Sequence, residues 1–115
     1  MTFTRVLAQA TVTDPEAAVE WYSRLFGRPP DLRPMGGLAE CHFGESHGVQ
    51  VWAEPDRSGH SSMMLDESDL PGLIARLDQC GFDHGEPEDV TASTILLLED
   101  LDGNRVVAST ALSGN

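Results

Sequence analysis

The chain opens in a two-residue rhythm. Across residues 4–12, Val6, Ala8, Ala10 and Val12 alternate with Arg5, Leu7, Gln9 and Thr11, the period of a strand with one apolar face. The spacing then turns helical. Asp14 suits an N-cap, Pro15 the first helical position, and Glu16 the positive helix end. Ala18, Trp21, Tyr22 and Leu25 recur at helical intervals until Gly27, which can take the left-handed closing conformation. Arg28-Pro-Pro forbids continuation. A short extended piece near Asp31–Pro34 and a Gly36-Gly37 turn lead to two further strands, 38–44 and 48–54.

The same order then repeats. After a polar linker at 55–59, a strand over 60–66 is opened by His60. It leads to a helix capped by Ser68, with Pro71 in the first turn, an apolar stripe of Leu70, Leu73, Ile74 and Leu77, and Gly81 as its close. Strands at 92–100 and 104–110 are joined through Leu101-Asp-Gly, a hairpin signal. The two closing glycines stand 81 − 27 = 54 positions apart, about half of 115 residues, which points to an internal duplication. The fold expected is α+β. Two βαβββ modules form one cupped mixed β-sheet with the helices on its outer face. Residues 1–115 make a single domain, module one about 1–55 and module two about 58–112.

Alternation also sorts the side chains by face. Val6, Ala8, Val49, Val51, Met63, Leu65, Val106 and Ala108 are small or apolar and suit the helix-packed side. The opposite, trough-facing side is mixed. It receives Arg5, Leu7, Gln9, Gln50 and Trp52 from module one, and His60, Ser62, Met64, Arg105, Val107 and Ser109 from module two. His42 joins this face only in one of the two registers open to its strand. An apolar cavity with a few placed polar groups is the usual form of a small-ligand site.

Charge and cysteine content narrow the classes. Nineteen acidic residues against seven basic ones give a net charge of −12, and no basic stripe offsets it, so nucleic acid is not an expected partner. No apolar run reaches the ~20 residues of a membrane span. The first residues lack a charged-then-apolar signal pattern, so a cytoplasmic location is expected. Cys41 and Cys80 have no metal-type spacing and are expected to be reduced, buried thiols.

The stretch VTDPEAAVEWYSRLFG resembles the first strand-helix unit of the vicinal oxygen chelate superfamily, which includes glyoxalase I, extradiol dioxygenases and bleomycin-resistance proteins. HSSMMLDESDLPGLIARLDQCGF resembles its second unit, and EDLDGNRVVAS its closing hairpin. The resemblance implies the doubled fold and a homodimer. In metal-dependent members it implies four ligand positions, which fall here at Leu7, Gln50, His60 and Val107. Two of these are hydrocarbon. Divalent metals of this kind need three or four converging N/O donors, so a metal is not expected; any that bound would use His60 and Gln50.

The function expected is therefore metal-independent binding of a planar or aromatic small molecule in the cup. Trp52 would stack on it, Gln9, Gln50, His60 and Arg105 would hydrogen-bond, and Leu7, Ser62, Met64 and Val107 would complete the contact. The alternatives are enzymes. One is a metal-dependent lyase, isomerase or dioxygenase using His60, with mis-registered ligands among Glu40, His42 and Glu99. The other is a metal-free proton-transfer enzyme with His60 as base.

Overall fold

The computed structural model describes residues 2–111. The expected end of module two near residue 112 lies outside them. The element order is β1 (Val6–Val12), α1 (Pro15–Phe26), β2 (Leu32–Met35), β3 (Leu38–His42) and β4 (His47–Ala53), then a short 3-10 turn at Pro55–Arg57. Module two follows with β5 (Ser62–Asp66), α2 (Leu70–Gln79), β6 (Glu88–Asp89), β7 (Ser93–Glu99) and β8 (Arg105–Ala111). Each module is thus βαβββ. Each forms a four-stranded mixed sheet, ordered β1-β4-β3-β2 and β5-β8-β7-β6, with the first and last strands of the module parallel.

The helices start and stop for the reasons their sequences give. Asp14 accepts hydrogen bonds from the backbone N–H groups of Glu16 and Ala17, and Gly27 ends α1 in the left-handed region. In α2 the cap is Asp69, not Ser68. Its carboxylate accepts from Gly72 N at 3.0 Å, a stronger acceptor one residue nearer the first apolar position. The helix ends at Gln79 with Cys80 as its C-cap, so Gly81 lies just beyond it. Cys80 is exposed, correcting the expectation of a buried thiol. It is the C-cap, past the last residue of the helix, where the apolar stripe of Leu70, Leu73 and Leu77 runs out. Cys41 is buried, and burial pushes its thiol pKa up.

The core is one continuous cluster. Ala10, Val12, Ala39, Val49 and Val51 of the first sheet meet Ala18, Val19, Tyr22 and Leu25 of α1, while Trp21 is only partly buried at the edge. Met63, Leu96, Leu98, Val106 and Ala108 of the second meet Leu70, Leu73 and Leu77 of α2. Burying a leucine of this kind contributes about 1.5–3 kcal/mol. The helices are tied together at their ends: Arg76 donates to the carbonyls of Arg24 and Leu25, at the negative end of α1, and Arg24 donates to the Cys80 carbonyl.

A buried polar hub joins the modules. Tyr22 Oη donates to Asp100 Oδ2 at 2.6 Å, and Asn104 Nδ2 donates both to Asp100 Oδ2 and to the Thr11 carbonyl, each at 2.8 Å. Asn104 Oδ1 accepts from Ser61 N at 2.8 Å. Helix α1, the β7–β8 turn, β1 and the lead-in to β5 therefore meet at one fully buried asparagine. Burial, followed by the Asp100 hydrogen bond, holds the Tyr22 phenol protonated well above its ordinary range.

The loop after α2 carries a pH-sensitive contact. His84 Nδ1 lies 2.7 Å from the Gly85 carbonyl and Nε2 lies 2.6 Å from Asp78 Oδ1. Both partners are acceptors, so the doubly protonated ring satisfies both, and the Gly85 bond followed by the Asp78 bond raises the His84 pKa. A raised folded pKa means stabilisation present below the unfolded value and lost as pH climbs through the folded one. Urea unfolding should therefore show the native protein's advantage over His84→Ala at its largest below pH 6.5 and shrinking above it. An advantage that grows with pH would contradict the contact.

Candidate functional site

The face of sheet one turned away from α1 is built as a small lattice. Register places Gln9 beside Gln50 and Gln50 beside Glu40; one row over, Thr11, Trp52 and Leu38 align, and on the other side Leu7, Gly48 and His42. Because Ala39 and Cys41 belong to the core, alternation along β3 sends Leu38, Glu40 and His42 to the open face.

The central row is one hydrogen-bonded chain. Gln9 Nε2 donates to Gln50 Oε1 at 2.7 Å, and Gln50 Nε2 donates to Glu40 Oε2 at 2.7 Å. Glu40 Oε1 lies 2.6 Å from His42 Nε2 and 3.4 Å from Arg5 Nη1. Glu40 is 3% exposed: its partners shut out water although it sits close to the surface. The His42 hydrogen bond, then the Gln50 one, outweigh desolvation and hold its carboxyl below the usual range. Each amide in the row therefore has a fixed orientation, set from the buried carboxylate outward. Gln9, exposed at the far end, presents its own carbonyl oxygen and second N–H to whatever lies on the face.

The expected residues divide between two surfaces. Leu7, Gln9, Gln50 and Trp52 share the face just described, with Leu7, Gln50 and Trp52 half-buried. Ser62, Met64, Arg105, Val107 and Ser109 share the corresponding face of sheet two, where Ser62 pairs with Arg105 and Met64 with Val107. Met64 is 65% exposed there. Arg105 faces a second cleft bordered by Asp83, His84 and Glu99.

His60 stands outside both sets. The strand it was expected to open begins two residues later, at Ser62. Gly59, at φ +83°, turns left-handed immediately before it, and a Cβ there would lie 2.5 Å from the Asp102 carbonyl. The chain leaves that turn pinned by Ser61, so His60 is exposed and no hydrogen bond to it is found among the described residues.

These positions do not assemble a cation site. Gln50 Oε1 already accepts from Gln9, Leu7 and Val107 offer hydrocarbon, and Glu40 and His42 are spent on each other. Among the described residues no group of three or more His, Cys, Asp or Glu side chains is placed to hold an ion. From sequence, Glu40 and His42 are only alternative ligands. The apolar partners at positions 39 and 41 were the signal that could have fixed both on this face.

No protein-family model matches the sequence, and no curated protein matches it. Solved structures do. A glyoxalase/bleomycin resistance protein from Catenulispora acidiphila superposes with a TM-score of 0.87 at 22% identity, over 94% of this chain and 98% of that one. TnmS3, an antibiotic-binding protein from a Streptomyces species, gives 0.80 at 20% identity, covering 97% and 99%. A bleomycin-binding protein complexed with bleomycin gives 0.70 at 18%, covering 94% and 98%. The chain thus has the glyoxalase/bleomycin-resistance fold, the one implied by the vicinal oxygen chelate resemblance.

Proposed function

We propose that the protein binds a planar or aromatic small molecule on the open face of sheet one, without a metal. The observation that carries this reading is the Gln9–Gln50–Glu40 chain beside Trp52: oriented amides next to an indole, on a face that no helix covers. Stacking on the indole supplies affinity, and the amide row supplies orientation. The antibiotic-binding and bleomycin-binding structural neighbours support the ligand class. The exposed apolar strip of Met64 and Leu97 on sheet two supports a homodimer, which sedimentation velocity would resolve. Two free cysteines suit a reducing, cytoplasmic setting.

The test uses a Trp21→Phe background, so that Trp52 is the sole indole. Titration with bleomycin and other planar antibiotics should quench it saturably, equally with and without EDTA. Trp52→Ala, followed by calorimetry, should weaken the same ligand about tenfold, the scale of a lost stacking contact of about 1.4 kcal/mol. Quenching that chelator abolishes would reject the metal-free reading.

A second reading rests on the Glu40–His42 pair. A carboxylate that orients an imidazole is the arrangement of a general base, which would move proton-transfer chemistry from His60 to His42. Deuterium exchange at an acidic C–H of a bound ligand, lost in His42→Ala, would establish it.

A further inference from the structure

A second binding place lies between the modules. Strands β1 and β5 belong to different sheets and are fastened together at one end. There Thr11 N donates to Ser61 Oγ at 3.1 Å, and Asn104 bridges Thr11 O and Ser61 N. Towards Val6 on β1 and Asp66 on β5 the two edges border a half-open cleft of about 590 Å³. Its deeper walls come from Ala8, Val49, Val106 and Ala108, all expected on the helix-packed side, together with Leu98 and with Leu25 and Leu73 from the helices. All of these side chains but the half-buried Ala8 are themselves buried, so they form the floor of the cleft, and its exposed lining comes from the rim. Val6, at its rim, is 73% exposed.

Alternation sets the polar character of the slot. Thr11 turns both its N–H and its C=O towards module two, so Leu7 and Gln9, at the same parity, turn theirs the same way. On β5, Ser61 O and Glu67 N bond to β8, which leaves the backbone groups of Met64 and Asp66 facing the slot. Arg28, His47 and Arg76 also reach the cavity; Arg28 is paired with Asp31, while Arg76 donates to the carbonyls ending α1 and keeps its charge. Asp66 has no ion pair among the described residues, and Glu67 accepts only the N–H of Asp69. Two carboxylates, Asp66 and Glu67, against the one guanidinium without an acidic partner, Arg76, leave the rim negative by a single charge.

We infer that this cavity binds an amphiphilic organic amine, its hydrocarbon between the modules and its ammonium at Asp66 and Glu67. Volume, apolar walls and few polar groups match a small-ligand pocket. Backbone carbonyls and two carboxylates at the mouth accept from an ammonium, and the carboxylates disfavour an anion. The inference goes beyond the sheet-one reading and uses none of its side chains.

The test compares two dansyl probes with the same alkyl chain, one ending in a primary ammonium and the other in a carboxylate. The ammonium probe should bind one per chain with blue-shifted emission, at least tenfold tighter than the carboxylate. Asp66→Asn with Glu67→Gln, an exposed and a half-buried side chain with the Asp69 contact kept, should bring the two within threefold. Ala8→Phe should abolish binding by filling the slot. Should that variant fail to fold, the charge-pair variant decides alone. Trp52→Ala should leave probe binding unchanged, which separates this site from the sheet-one face. Equal binding of the two probes, an unaltered preference in the double variant, or a dimer that buries the slot and excludes both probes would overturn the inference.

Discussion

Replacing Asn104 by alanine is expected to destabilise the fold by about 3 kcal/mol. The substitution deletes three side-chain hydrogen bonds at once and strands Ser61 N, the Thr11 carbonyl and one lone pair of Asp100. A buried group left unpaired costs about 1–3 kcal/mol, and the three share one network, so the lower figure for each is the safer sum. Chemical denaturation would show it directly, together with a fall in Tm of roughly 10 °C. Asn104→Asp should be worse. It keeps the acceptor for Ser61 N but sets a second carboxylate 2.8 Å from Asp100 Oδ2, where the amide now donates. A loss under 1 kcal/mol for both variants would mean that the hub does not hold the modules together.

Gly48→Ala is the second large effect, also about 3 kcal/mol. A Cβ on Gly48 would lie 2.3 Å from the Cys41 carbonyl oxygen and 3.2 Å from the His42 Cα, both backbone atoms of the paired strand. Neither can swing aside as a side-chain tip could, so β3 and β4 must separate or shift register. That shift would move Glu40 away from Gln50, because the pairs His42–Gly48 and Glu40–Gln50 lie two residues apart on the same ladder. The variant should therefore lose ligand quenching at Trp52 under conditions where circular dichroism still reports a folded chain. Unchanged stability and unchanged quenching would contradict the close approach of the strands.

Much of the architecture was legible because each element carried its own local signal. Asp14, Pro15 and Gly27 delimit α1 without reference to anything distant, and alternation along β1, β4, β5 and β8 sorted most of the core from the open face, though Val6 is exposed and Ser109 is buried. Glu88–Asp89 had no such signal. A two-residue, wholly exposed strand has no period to read, and it exists because β7 offers an edge. The amide row was hidden for a different reason. Gln9, Gln50 and Glu40 are 41 and 10 positions apart in sequence, and only the β1–β4–β3 register makes them neighbours. His60 was misplaced because the pattern of residues 60–66 reads equally well as strand from its first residue. The Gly59 turn and the Asn104 contact, both tertiary, delay the strand to Ser62. The slot between β1 and β5 is a property of two edges that fail to pair, which no single segment encodes.

The most direct measurement is a nitrogen-15 NMR titration of the assigned protein with the compound that quenches Trp52 most tightly. The side-chain amides of Gln9 and Gln50 and the indole N–H of Trp52 should shift together and saturate at one equivalent, with EDTA present, while His60 stays still. Shifts centred on His60, or shifts that vanish with chelator, would contradict a metal-free site on the first sheet.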